Sequence, residues 1–178
     1  MQTVIALGTF DGMHPGHRAV ISRAVQEAQK TGAKSMVYTF SSIPRALFMA
    51  APKMLMSPDE RKNEILKMGV QDVVMVDFTR EIAEMAPEAF VKKLFDAYHP
   101  AAFVAGEDYT FGHKAAGNMQ MLKNLGKEMG FEVITAETVR VKLPDGSLGE
   151  KISSTDIRKA LEENKISLAE HLFKGEVL

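Results

Sequence analysis

The chain has 178 residues, a length that suits one domain, 1–178, better than two. With 46% apolar and 25% charged residues it has the composition of a globular protein and not of a disordered, collagenous or disulfide-rich one. Lys and Arg total 22 against 23 Asp and Glu, so no general electropositive field exists to hold a nucleic-acid backbone. The absence of cysteine excludes disulfides, thiolate nucleophiles and cysteine metal sites, and points to a reducing, cytoplasmic setting.

The run from Met1 to Leu7 ends at Gly8 with no basic region before it, too short for a signal peptide or membrane span, and within it Val4 to Leu7 reads as a strand buried on both faces. From Pro15 to Lys30 apolar residues recur at helical spacing, with Gly32 as the stop, and Ser35 to Phe40 reads as the next strand. Ser57, Pro58 and Glu60 form a helix-start signature, predicting a helix from Pro58 to Met68 ended by Gly69. Val73 to Val76 is strand-like. Pro87 opens a helix with Phe90, Val91, Leu94, Phe95 and Tyr98 on one face, and Ala101 to Ala105 is again a strand. Asn118 opens a helix that Gly130 caps, followed by a strand from Phe131 to Thr135. Val139 to Leu143 and Leu148 to Ile152 flank Asp145-Gly146 and predict a late hairpin. Helices from Thr155 to Glu163 and from Ser167 to Phe173 complete the chain. Alternating strands and helices argue an α/β fold with a mainly parallel sheet covered on both faces.

Three stretches could carry chemistry. Gly8, Thr9, Phe10, Asp11, Gly12, Met13, His14, Pro15, Gly16 and His17 join the first strand to the first helix. Ligands of open α/β sheets sit beyond the carboxyl ends of the strands, where a helix N-terminus offers free amides to an anion. His14 and His17, three apart, would then share one side of the first helical turn and reach the same phosphate chain. The plainer reading is a glycine turn with solvated histidines. Ser153, Ser154, Thr155 and Arg158 open another helix, either as an ordinary start with Ser154 as N-cap or as a second anion clamp. Gly106 to Asn118 is a long stretch of little periodicity, either a surface loop in which Asn118 caps the next helix or a binding loop. His99 and His171 are read as solvated or capping, and no metal-ligating cluster is evident.

Gly-Thr-Phe-Asp-Gly-Met-His-Pro-Gly-His resembles the HxGH signature of the nucleotidylyltransferase superfamily, and within it the adenylyltransferase module of bacterial FAD synthetases. Thr39-Phe40 with Pro44 and Arg45, the block from Gly106 through Tyr109 and Phe111 to Asn118, and Lys151-Ile152-Ser153-Ser154-Thr155 with Ile157-Arg158 agree in order and spacing. The resemblance implies an open Rossmann-like sheet, mainly parallel with helices on both faces, and transfer of AMP from ATP to FMN to give FAD and pyrophosphate. It implies catalytic roles for His14, His17 and Arg158, with Arg158 steadying the charge of transfer. ATP would lie on Gly8, Thr9, Phe10, Asp11, Gly12, Gly16, Ser153, Ser154 and Thr155. Asp108, Phe111, Gly112 and Asn118 would form the FMN group, and magnesium would be held mainly by phosphate and water. No nucleic acid, membrane or known protein partner is implied.

The sequence departs from the family at Ile43, where a histidine is usual, and at His113-Lys114-Ala115-Ala116, usually richer in glycine and arginine. Typical family members continue into a riboflavin kinase module; the sequence given ends at Leu178 and is not expected to phosphorylate riboflavin. Two rivals remain: another HxGH nucleotidylyltransferase with a different acceptor, and a non-catalytic sensor of flavin nucleotides.

Overall fold

The computed structural model describes residues 2–44, 53–142 and 148–174. Arg45 and the Asp145-Gly146 turn lie outside the described residues. Five strands, β1 (Thr3–Leu7), β2 (Lys34–Phe40), β3 (Asp72–Val76), β4 (Pro100–Gly106) and β7 (Glu132–Ala136), form one sheet in the order β3-β2-β1-β4-β7. Every pairing in it is parallel. The chain therefore builds outward from β1 in one direction, then crosses back to lay β4 on its other side. This reversal parts the connections leaving β1 and β4 and opens a crevice at their carboxyl ends.

The period-two alternation of a strand sends its side chains to opposite faces. Val4 and Ala6 of β1, with Ala102 and Val104 of β4, pack against Val20, Ile21, Ala24 and Ala28 of α1 (Pro15–Thr31) and Ile65 of α2 (Pro58–Lys67). Ile5 and Leu7, with Phe103 and Ala105, meet Phe90, Val91 and Leu94 of α4 (Pro87–Tyr98) and Leu122 of α5 (Met119–Met129). The unbroken apolar runs of β1 and β4 are thus explained by burial on both sides. A third cluster joins Ile152, Ile157 of α6 (Ser154–Glu162) and Leu172 of α7 (Ile166–Lys174). Among the described residues no helix is long and apolar enough to cross a membrane.

The helix ends follow the sequence closely. Ser57 and Glu60 form a reciprocal capping box at the start of α2, and Gly32 ends α1 in the left-handed conformation. His99 caps α4 in the same conformation, a structural role for that histidine. One short helix and one small hairpin leave no periodic signal in the sequence. α3 (Arg80–Glu84) is a single short turn capped by Thr79. Inside the stretch read as irregular, β5 (Thr110–Phe111) pairs antiparallel with β6 (Gly117–Asn118) around a 3-10 turn at His113–Ala115. Pairs of two residues are too short for any periodicity to show. The late hairpin forms from β8 (Arg140–Lys142) and β9 (Leu148–Lys151).

Phe103 is fully buried and packs edge-to-face on Phe131, with ring centroids 5.0 Å apart. Phe103→Ala should lower unfolding free energy by about 3–5 kcal/mol in denaturant titrations, because the rigid sheet cannot collapse onto the space left.

Candidate active site

The β1–α1 connection sits at the crevice. His14 is the N-cap of α1 but makes no side-chain cap, and Pro15 follows it, so the amides of the first turn keep no side-chain partner from the cap. The rings of His14 and His17 stack with centroids 3.7 Å apart and planes at 25°. This is the shared helical side that their spacing predicted. Gly16 makes the stack possible: a Cβ there would lie 3.1 Å from His14 Cε1. The Nδ1 atoms of both rings are buried without a hydrogen-bond partner among the described residues.

Burial dominates the acid–base behaviour of the pair. It holds His14 down at about 4 from the ordinary 6.5; Lys151 pushes the same way, while Asp156, Asp108 and Asp11 oppose it. His17 is lowered well below the ordinary value by burial, then by His14, Arg61 and Arg158. Both rings are therefore neutral near pH 7, each with one N–H to donate.

Two cavities meet here. The smaller, about 230 Å³, is lined by Gly8, Phe10, His14, Gly16 and His17 on one side and by Gly106, Asp108, Tyr109, Lys151, Ser153 and Ser154 on the other. The larger, about 540 Å³, has a wall of Tyr38, Phe40, Phe78, Phe90, Tyr109 and Phe111, with Thr9, Pro44, Gly112 and Lys114 at its edges. That volume and aromatic lining match an organic ligand of moderate size. Gly8, Asp108 and Tyr109 belong to both, so the cavities share a wall. Lys151 Nζ lies 2.6 Å from Asp108 Oδ1, and this contact lowers the Asp108 carboxyl below its ordinary range. Burial and Tyr98 push the Tyr38 phenol up to about 12, leaving it protonated. Gly112 is required on the rim: its φ is +73°, and a Cβ would meet Pro87 at 2.7 Å.

Several expected site residues take other positions. The Asp11 carboxylate is 2% exposed and turned inward, accepting the Leu55 and Met56 amides and pairing with Arg158. Arg158 also donates from Nε to the Lys53 carbonyl at 3.0 Å, so its fork is engaged on protein and it does not line either described cavity. Ser154 Oγ donates to the Asp11 carbonyl at 2.6 Å. The N-cap of α6 is Ser153, in a capping box with Asp156, and not Ser154; the first-turn amide of Asp156 is thereby already satisfied. Thr155 is exposed on that turn. Gly12, with φ +85°, packs beside Leu55 and Phe173. Asn118 accepts the Met121 amide at 3.0 Å, which realises its capping reading, and it does not line the aromatic cavity. Tyr38, Phe78, Phe90 and Lys114 line the larger cavity without any local sequence signal, because their approach depends on tertiary packing. Lys151 carried a signal in its place before the serine pair. Among the described residues no group of three His, Asp or Glu could hold a metal ion.

The depressed imidazole values set a pH dependence. Below about 6.5 the unfolded chain binds protons that the native pair refuses, so stability is full above that value and declines as pH falls toward about 4. Melting temperature should drop between pH 7.5 and 5, and His14→Asn should flatten that slope in scanning calorimetry.

Residues 1–156 match the family model for FAD synthetase. A Listeria monocytogenes protein named bifunctional riboflavin kinase/FMN adenylyltransferase is 37% identical over 95% of this chain and 52% of its own length. The Escherichia coli K12 protein of that name is 33% identical over 95% of this chain and 53% of its own. This chain thus spans about half the length of these relatives, although a Geobacillus thermodenitrificans relative, 31% identical, is matched over 84% of its length. A solved Streptococcus pneumoniae structure, described as a macrolide-efflux protein, superposes with a TM-score of 0.82 at 30% identity, over 98% of this chain and 55% of that one. With its family model extending over most of the chain, the protein belongs to the FAD synthetase family.

Proposed function

We propose that this chain transfers AMP from ATP to FMN, releasing pyrophosphate and forming FAD. The observation that carries this reading is the shared wall at Gly8, Asp108 and Tyr109: a cavity with paired histidines at a helix N-terminus abuts one lined by aromatic rings. The first suits a triphosphate and the second a flat isoalloxazine, so the two phosphates would meet at the junction.

The chemistry asks little else of the protein. An FMN phosphate oxygen is already ionised; it attacks the α-phosphorus of ATP as the bond to pyrophosphate breaks, and no general base is needed. The protein must align two anions and offset their repulsion. His14, His17 and the α1 amides would donate to the phosphates, and Lys151 adds a cation on the same cavity wall. Arg158, tied to Asp11, would act by holding α6 to the histidine loop. Magnesium would arrive on ATP as part of the substrate, in keeping with the want of a carboxylate cage among the described residues.

The purified chain incubated with FMN, ATP and magnesium should yield FAD and pyrophosphate by chromatography, whereas CTP in place of ATP, or another phosphate-bearing acceptor in place of FMN, should give far less product. Flavin binding without turnover would overturn this in favour of a sensor. His14→Asn and His17→Asn should each lower kcat roughly a hundredfold, the size expected for one lost donor to developing charge, while flavin affinity stays within about threefold.

A further inference from the structure

Arg61 is fully buried, an unusual position for a guanidinium with no carboxylate in ion-pair contact among the described residues. It extends from the first turns of α2 under the carboxyl ends of three neighbouring strands. Nη1 donates to the Thr9 carbonyl at 3.0 Å, and Nη2 donates to the Phe40 and Ser41 carbonyls and touches Met75 Sδ at 3.9 Å. Nε has no partner among the described residues. The Thr9 carbonyl receives a second donor, Thr39 Oγ1, also at 3.0 Å. Thr9 lines the larger cavity together with Phe40 and directly follows Gly8, a residue of the wall common to both cavities. The charge of Arg61 is also felt by His17, whose protonation it disfavours. The carboxylate that acts on it through space, Asp11, is committed to Arg158.

We propose that Arg61 is a positioning residue for nucleotidyl transfer: its buried fork fixes the Thr9, Phe40 and Ser41 carbonyls so that both cavities keep their register at the junction, and its charge, lacking a paired carboxylate, favours anionic phosphate beside the histidines. The inference rests on the assignment of the two cavities to ATP and FMN. A charged group taken out of water is costly unless something nearby compensates it, and the carbonyl cluster does so only in part. A bound triphosphate supplies the remaining counter-charge.

The test compares Arg61→Lys, which keeps the charge and loses the fork, with Arg61→Gln, which loses both, and with Thr39→Val and its rescue Thr39→Ser. Folding is checked by circular dichroism, and steady-state kinetics are taken across pH. Arg61→Lys should lower kcat tenfold to roughly a hundredfold, the scale of an ångström of misplacement, with KM for ATP changed little. Arg61→Gln should show the same loss, a raised KM for ATP, and an acid limb moved to higher pH as His17 recovers basicity. Thr39→Val, nearly isosteric, should lower kcat several-fold and Thr39→Ser restore it; this pair decides the matter even where an Arg61 variant does not fold. Unaltered kinetics in the folded variants, with only melting temperature reduced, would overturn the inference. If the unsubstituted chain makes no FAD, the assignment of the cavities fails first and this inference falls with it.

Discussion

The site depends on one buried carboxylate. Asp11 lies in the connection after β1, and its two oxygens gather the 55–56 amides and the Arg158 guanidinium, while its carbonyl takes the Ser154 hydroxyl. Three segments far apart in sequence are thereby fixed around the start of α1. An ion pair in such a place is expensive to desolvate, and it persists because backbone amides satisfy the remaining lone pairs. The loop it holds is not at conformational rest. Phe10 and Met13 both have positive φ, 54° and 44°, which side-chain-bearing residues adopt only when their surroundings insist.

Around that anchor the sheet supplies the place and the helices supply the groups. The crossing from β3 back to β4 parts the two central connections, and Gly8 and Gly106 mark the two sides of the opening. α1 brings the stacked imidazoles to its floor; the segment before α6 brings Lys151 and the serines to its roof. The aromatic cavity is assembled differently, from β2, α4 and the β5–β6 hairpin, which explains why its residues are scattered through the chain.

Local signals were legible in the sequence and distant ones were not. The Ser57-Pro58-Glu60 cap, the Gly32 and Gly130 stops and the two-faced burial of Val4 to Leu7 each follow from chemistry within a few residues. So does the pairing of His14 with His17, since three residues of helix bring them together. Arg158 could be read as a free cation because nothing near it in sequence reveals Asp11, 147 positions away. Arg61 is the strongest case: among Pro58, Asp59, Glu60 and Lys62 it has the context of a solvated helix start, and only the ends of three strands turn it into a buried residue. Asn118 shows the opposite limit, a local cap that its surroundings did not recruit into the cavity.

The bond from Arg158 to Asp11 has a bearing on how the molecule comes together during synthesis. All five strands of the sheet emerge from the ribosome before residue 137, yet the partner of the carboxylate at position 11 follows some twenty residues later. A nascent chain can therefore complete its two main hydrophobic layers while the Asp11 carboxylate holds the 55–56 amides but still lacks its cation. The contact becomes available only once α6 has been made, and a polypeptide truncated just after β9 would lack both the cation and the hydroxyl that tie α6 to the histidine loop.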